Sequence, residues 1–346
     1  MEVLEANRHG ANVPHPSLSA NSGLRVSNLS VSFHHNPEHE SKVVRQVSFE
    51  IGPCEIVGLL GESGCGKTTT ALGILHLLPP SAHMTAGSID FHGTNLLTLS
   101  ELRLREIRGS QISIIYQDSD VLNPVMRVGD QVMEVLRAHQ NMTSIEMRGE
   151  VYSTFSAIGL DDCDRIFRAY PHQLSGGQRR RIAIAQALVC KPRLVIADEP
   201  TEWLDANTAA GLLALFVHLR DLYETSFLLI SHAPDALLVA DRVMVMYAGQ
   251  IVESGARAEV LTQPKHPYTS ALLQCSLHAA AAEVGTHRRR LPCIPGCAPD
   301  PAEVFAGCSF SSRCAERMDV CDLQQPEIVE ISSTRTVRCF KYRDGA

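Results

Sequence analysis

The run Gly61-Glu62-Ser63-Gly64-Cys65-Gly66-Lys67-Thr68 has the spacing G-x-x-x-x-G-K-S/T, whose chemistry is the grip of a nucleoside triphosphate. Glycines let successive backbone N–H groups wrap the phosphates, and the N-terminus of a following helix adds a positive dipole end. Lys67 reaches the β- and γ-phosphates, and the Thr68 hydroxyl is placed to ligate magnesium. Thr69 continues the nucleotide contacts into the helix. The flanks are the elements that such a loop requires. Glu55 to Leu60 is a short apolar run with the look of a buried parallel strand, and Thr69 to Leu78 reads as a helix stopped by Pro79-Pro80. The segment predicts a nucleotide-binding site.

A second constellation says which kind of nucleotide enzyme this is. Leu174-Ser175-Gly176-Gly177-Gln178 stands upstream of Leu194-Val195-Ile196-Ala197-Asp198-Glu199. Ser175 offers a hydroxyl, and Gly176 and Gly177 permit close backbone approach at the start of a helix running from Gln178 to Val189. With these motifs the chain resembles the ATP-binding-cassette (ABC) ATPases, whose signature is LSGGQ. The resemblance implies that the signature of one subunit, Ser175 to Gln178, closes over the γ-phosphate held by the glycine loop of another. It also implies that Asp198 holds Mg2+ and that Glu199 orients and polarises the attacking water. Phosphoryl transfer is mostly positioning and charge stabilisation, so a carboxylate beside the metal suits it. Gln117, after the strand-like Ile112 to Tyr116, is similar to the Q-loop glutamine that contacts Mg2+ and water. His232, after Phe227 to Ser231, is similar to the switch histidine on the γ-phosphate. Asp205 matches the D-loop aspartate at the dimer interface, and Phe33 is the candidate for the aromatic that stacks on adenine.

These motifs must sit on an α/β scaffold. The expected fold is a P-loop NTPase of the ABC type: a RecA-like core, an antiparallel β subdomain, a helical subdomain and a small C-terminal cysteine-rich domain. Residues 1–23, rich in Asn, Ser, His and Pro, are expected to be disordered. Residues 24–265 form the nucleotide-binding domain, with a helical insert at about 118–178 that includes Gln131 to His139 and Ile145 to Ile158. Val243 to Tyr247, Ala248-Gly249-Gln250 and Ile251 to Glu253 read as a hairpin. Residues 266–346 form the C-terminal region, entered through a linker around Thr286 to Pro299.

Composition is that of a soluble intracellular protein with a substantial core: 346 residues, 45% of them hydrophobic. A net charge of −7 leaves no global basic footprint for nucleic acid. No apolar run reaches the length of a membrane span, and the first residues, with Glu2 and Glu5, do not read as a signal peptide. If the chain serves a membrane process, separate subunits supply the membrane.

The tail narrows the resemblance. Cys308, Cys314, Cys321 and Cys339 are spaced C-x5-C-x6-C-x17-C. Four clustered thiols in a cytosolic chain argue for metal rather than disulfides, and spacing alone leaves iron–sulfur, zinc and free thiols open. With His266-Pro267-Tyr268-Thr269 and Ile294-Pro295-Gly296, the pattern resembles the oligopeptide/dipeptide branch of ABC importer ATPases, from about residue 24 to the C-terminus. That resemblance implies a 4Fe-4S cluster on the four cysteines. It implies a motor subunit peripheral to the cytoplasmic face of the inner membrane. Its partners would be two transmembrane permeases, a paralogous second ATPase in a heterodimer and, indirectly, a solute-binding protein. The other readings are a soluble non-transport ABC ATPase and an iron–sulfur regulatory module with secondary ATPase activity. The chain departs from the branch at Glu202-Trp203, where Thr-Ala or Ser-Ala is usual, and at Ala233, where Asp is common. The stretch Asp118 to Pro124 after Gln117 is one residue shorter than usual.

Overall fold

Continuously apolar strands make the centre of the molecule, and their direction decides where its chemistry can lie. A computed structural model of the chain describes residues 23–36, 39–117, 122–282, 293–300 and 302–343. The N-terminal segment expected to be disordered lies outside the described residues except for Gly23, as do Asp118 to Val121 and the first half of the linker, 286–292. In chain order the strands are β1 (Leu24–Asn36), β2 (His39–Ile51), β3 (Ile56–Leu60), β4 (Ala82–Phe91), β5 (Thr94–Asn95) and β6 (Ile112–Ile115). They continue with β7 (Leu194–Asp198), β8 (Ser226–Ser231), β9 (Arg242–Tyr247), β10 (Gln250–Ala256), β11 (Val329–Ser332) and β12 (Arg335–Val337).

Every residue of β3, β7 and β8 is buried, the pattern of parallel strands covered on both faces. They lie in an eight-stranded sheet of order β11-β12-β10-β9-β3-β8-β7-β6. Leu60 pairs with Ser231, Asp198 with Ile230 and Ile115 with Ala197, all parallel. The residues that follow β3, β6, β7 and β8 therefore leave the sheet on one edge. Ligands of open α/β sheets bind at that carboxyl edge. A four-stranded antiparallel sheet, β2-β1-β4-β5, covers one side, turning Leu24, Val26, Leu29 and Val31 inward. One apolar core fills the space between the two sheets and another lies under the helices of the insert.

The insert is helical as expected, over Val128–His139, Ser144–Ala157 and Cys163–Arg168, with Thr143 and Glu146 forming a capping box. The helix after the glycine loop is shorter than its sequence suggests, Lys67–Ile74 rather than reaching Leu78. Arg108 ends it: its guanidinium donates to the carbonyls of Leu75 at 2.7 Å and His76 at 2.9 Å. Carbonyls satisfied from outside do not need another helical turn.

Strands β9 and β10 form the expected hairpin, with Ala248 and Gly249 at positive φ. The C-terminal region does not stand apart from the cassette. Strand β12 pairs antiparallel with β10, and β11 with β12, so the tail extends the central sheet. The junction is fixed by Glu253, fully buried, which accepts from Arg335 at 2.7 Å and from the backbone of Lys265 and His266 at 2.9 Å. A buried carboxylate paired and hydrogen-bonded in this way is costly to uncouple, about 3–5 kcal/mol.

Candidate active site at the carboxyl edge of the central sheet

Five of the predicted residues, Lys67, Thr68, Asp198, Glu199 and His232, meet where β3, β7 and β8 end. Lys67 Nζ donates to the carbonyls of Gly61 at 2.7 Å and Glu62 at 3.1 Å, and lies 3.9 Å from Glu199 Oε1. Gly66, at φ 108, turns the loop into the helix. A side chain there would meet the Val43 carbonyl at 2.8 Å, so glycine is required on both counts. Gly61 is equally confined, by the Met246 carbonyl at 2.4 Å and Cys65 Sγ at 2.7 Å. Cys65 is a buried packing residue; burial pushes its thiol up to about 11.

Thr68 Oγ1 donates to Asp198 Oδ2 at 2.7 Å. The other oxygen, Asp198 Oδ1, is buried without a hydrogen-bond partner among the described residues. Burial raises the Asp198 carboxyl above its usual range, against the Thr68 hydrogen bond. A buried, half-satisfied carboxylate beside a threonine hydroxyl is the oxygen donor set of a hydrated Mg2+ site. The residues fit the ion.

Glu199 follows Asp198 at φ 47, a left-handed conformation that turns its carboxylate back toward the loop. Glu199 Oε2 accepts from Ser231 Oγ at 3.0 Å, and Oε1 lies 2.9 Å from His232 Nδ1. Strained backbone of this kind gathers at functional sites. Ser231 was not singled out from sequence. The signal was its place before His232 at a strand end, and its role is to hold the carboxylate.

The remaining predicted residues lie further out. Gln117 is exposed, and its Nε2 donates to Glu202 Oε2 in a short contact. The unusual Glu202 thus engages Gln117. Ser175 caps the helix Gly176–Leu188 in a box with Gln178, and Ser175, Gly176 and Gly177 are exposed. Arg180 of that helix donates to the Pro200 carbonyl at 2.7 Å and the Glu202 carbonyl at 3.2 Å, tying the signature to the turn before Asp205. Asp205 is exposed and caps the helix Ala206–Tyr223, accepting from the backbone of Asn207 and Thr208. Trp203 is 89% exposed at φ 62. Phe33 is partly buried against the inter-sheet core, and it stands outside the lining of the cavity of about 310 Å³ beside Ser63 and Gly64.

In the tail, all the cysteines are free. Cys308, Cys314 and Cys339 are raised chiefly by burial, Cys308 to about 11, and each is raised further by the charge of neighbouring thiols of the set. The four sulfurs thus share one electrostatic neighbourhood. Among the described residues, no group of three or more His, Cys, Asp or Glu side chains is placed to hold a metal ion.

Comparison with known proteins agrees with this geometry. Residues 44–202 match the ABC transporter family, and residues 252–321 match the oligopeptide/dipeptide transporter C-terminal region. The chain is 42% identical over 320 residues to the dipeptide transport ATP-binding protein DppD of Bacillus subtilis, covering 92% of this chain and 94% of that one. It is 37% identical over 345 residues to the oligopeptide transport ATP-binding protein OppD of Escherichia coli, covering 99% and 98%. The chain belongs to the ATP-binding subunits of oligopeptide/dipeptide ABC transporters. Among solved structures, it is similar to cbiO1 from Clostridium perfringens, with a TM-score of 0.61 and 25% identity, over 76% of this chain and 99% of that one.

Members of this family hydrolyse ATP, and the chain is an ABC ATPase of that kind. As the ATP-binding subunit of an importer it works with membrane permeases. Among the described residues no helix is long and apolar enough to cross a membrane. Neither a non-transport ATPase nor an iron–sulfur regulatory module finds support in these relatives.

Proposed function

We propose that this subunit sits on the cytoplasmic face of the membrane and hydrolyses ATP to drive import of di- or oligopeptides or related small solutes. The observation that carries the catalytic part is the position of Glu199, between Ser231, His232 and Lys67 and beside the Thr68–Asp198 pair. In this reading Gly61 to Thr69 hold the phosphates, with Lys67 as the cationic contact. Phe33 serves the adenine. Thr68, Asp198 and, after it leaves Glu202, Gln117 hold Mg2+. That ion would supply neutralisation of the charge on the phosphates. Glu199 accepts a proton from the attacking water, and His232 keeps the carboxylate aimed and meets the γ-phosphate.

The exposed Ser175, Gly176, Gly177 and Asp205 supply the other half of a site on a second cassette, a paralogue in a heterodimer. Trp203, exposed beside Asp205, belongs to that interface. A solute-binding protein delivers the cargo to the permeases. The chain divides at about residue 265 into the cassette and the C-terminal region.

For the tail we read a 4Fe-4S cluster on Cys308, Cys314, Cys321 and Cys339. What supports it is the number and type of the donors: four cysteines, three of them raised partly by neighbouring thiols of the set, match the four thiolates that such a cluster takes. A cluster spreads its four thiolates more widely than a single zinc does, and its positive irons offset their charge.

The decisive experiment is Glu199→Gln in the assembled importer. ATP binding should persist, hydrolysis and ATP-driven uptake should fall together, and a nucleotide-bound cassette dimer should accumulate. Turnover near that of the parent, with the partner ATPase inactivated, removes Glu199 from the role of base.

A further inference from the structure

The phosphate loop is held from outside itself. Arg313, between Cys308 and Cys314, lies 251 positions along the chain from Glu62, the second residue of the loop. Its Nη1 donates to Glu62 Oε2 at 2.8 Å and its Nη2 to Glu62 Oε1 at 3.0 Å. This is the paired fork geometry in which arginine grips a carboxylate most strongly. The arginine is 7% exposed, and two further donors are used. Nε donates to the Pro295 carbonyl at 2.8 Å, and Nη1 also lies 3.4 Å from the Tyr247 hydroxyl.

The rest of Glu62 is held as well. Its N–H donates to the hydroxyl of Tyr268 at 2.9 Å, and its carbonyl accepts from Lys67 at 3.1 Å. Tyr268 is fully buried, its ring 4.5 Å from Tyr247 and 5.4 Å from Phe310 of the tail. Lys67 and Glu62 share a hydrogen bond, so a shift of Glu62 moves the cation that meets the phosphates. The tail also walls the cavity at the loop's mouth, where Pro299, Asp300 and Phe305 face Ser63 and Gly64.

A glycine-rich phosphate loop is held by its own backbone and by its ligand. A carboxylate gripped by a buried arginine from a distant segment adds a constraint that the nucleotide alone does not need. We propose that Arg313 is a positioning residue of the phosphate loop: through Glu62, the cysteine-rich tail sets the shape of the loop and hence its affinity for nucleotide. The proposal rests on reading Gly61 to Thr68 as the phosphate loop.

The test is equilibrium binding of ATP to the full chain, with thermal melting in parallel, for Arg313→Lys, Glu62→Gln, the double variant and Lys67→Ala. Each of the first two should weaken ATP binding about tenfold, the scale of one charge-assisted pair. The double variant should bind no more weakly than either single, because both remove the same link. A brace with only a structural role would lower the melting temperature and leave ATP affinity unchanged, and that result overturns the proposal. So do additive losses in the double variant. Glu62→Gln keeps the arginine and the size of the side chain, and it decides the matter alone if Arg313→Lys fails to fold. Lys67→Ala tests the underlying reading: undiminished ATP binding there would sink the phosphate loop itself, whatever Arg313 does.

Discussion

Glu199 Oε1 lies 2.9 Å from His232 Nδ1, while the other oxygen of the same carboxylate accepts from Ser231 at 3.0 Å. Neighbouring residues of one strand end therefore hold both oxygens of the carboxylate that stands nearest the loop's lysine. The carboxylate has one orientation before any substrate arrives, which is the preorganisation that phosphoryl transfer rewards.

His232→Ala should accordingly lower kcat by about 100-fold, the lower range for a positioned proton-transfer partner, with ATP affinity little changed. Ser231→Ala should cost less, since His232 remains. Steady-state hydrolysis alongside equilibrium ATP binding checks both. A His232→Ala enzyme with full kcat would leave the contact without a catalytic part.

Glu202→Ala should raise turnover severalfold, because it frees Gln117 from its contact with the Glu202 carboxylate. Gln117 must reach the metal site for its expected role, and a side chain engaged elsewhere lowers the fraction of competent sites. ATP affinity should change little. Unchanged or reduced hydrolysis in Glu202→Ala would show that the contact imposes no restraint.

Asp198→Asn should stabilise the nucleotide-free protein and abolish Mg2+-dependent ATP hydrolysis. Burial raises the Asp198 carboxyl in the folded state, so the native protein binds this proton more tightly than the unfolded chain does. Stability from this group is full below the ordinary carboxylate range and is lost as pH rises through the raised value. The asparagine avoids that loss and still accepts from Thr68. Its melting temperature should exceed the parent's by about 2 °C at pH 7, with the gap closing in acid. A gap that is constant with pH would trace the stability change to something other than ionisation.

Anaerobically purified protein should be brown, with broad absorbance in the visible. Single Cys→Ser changes at Cys308, Cys314, Cys321 and Cys339 should bleach it, whereas changes at Cys293 and Cys297, both exposed, should not. Absorbance and iron analysis of each variant decide the point. A colourless preparation carrying about one zinc per chain would assign the thiols to zinc.

Contiguous motifs made much of the site legible in advance. Gly61 to Thr68, Asp198-Glu199 and His232 each stand at the end of an apolar run, and the parallel pairing of those runs brings them together. Contacts between distant segments were not legible. Gln117 with Glu202, Arg108 on the carbonyls of Leu75 and His76, and Arg313 on Glu62 each depend on pairing register and loop paths that no local pattern encodes. The same holds for β11 and β12. Their residues alternate weakly and sit in a polar tail, so the sequence suggested a separate module, and only the β10 partner explains them.

That partnership bears on how the chain can be shortened. β12 occupies the hydrogen-bonding edge of β10 through Glu253 and Ser254. A chain ending near residue 265 would bare that edge as a row of unpaired N–H and C=O groups beside the apolar Val252. Unprotected edges of this kind recruit strands from other molecules. The same cut would leave the buried Glu253 without Arg335. The smallest well-behaved unit of this ATPase therefore runs through Val337, and a short strand of the tail is what keeps its central sheet from joining another.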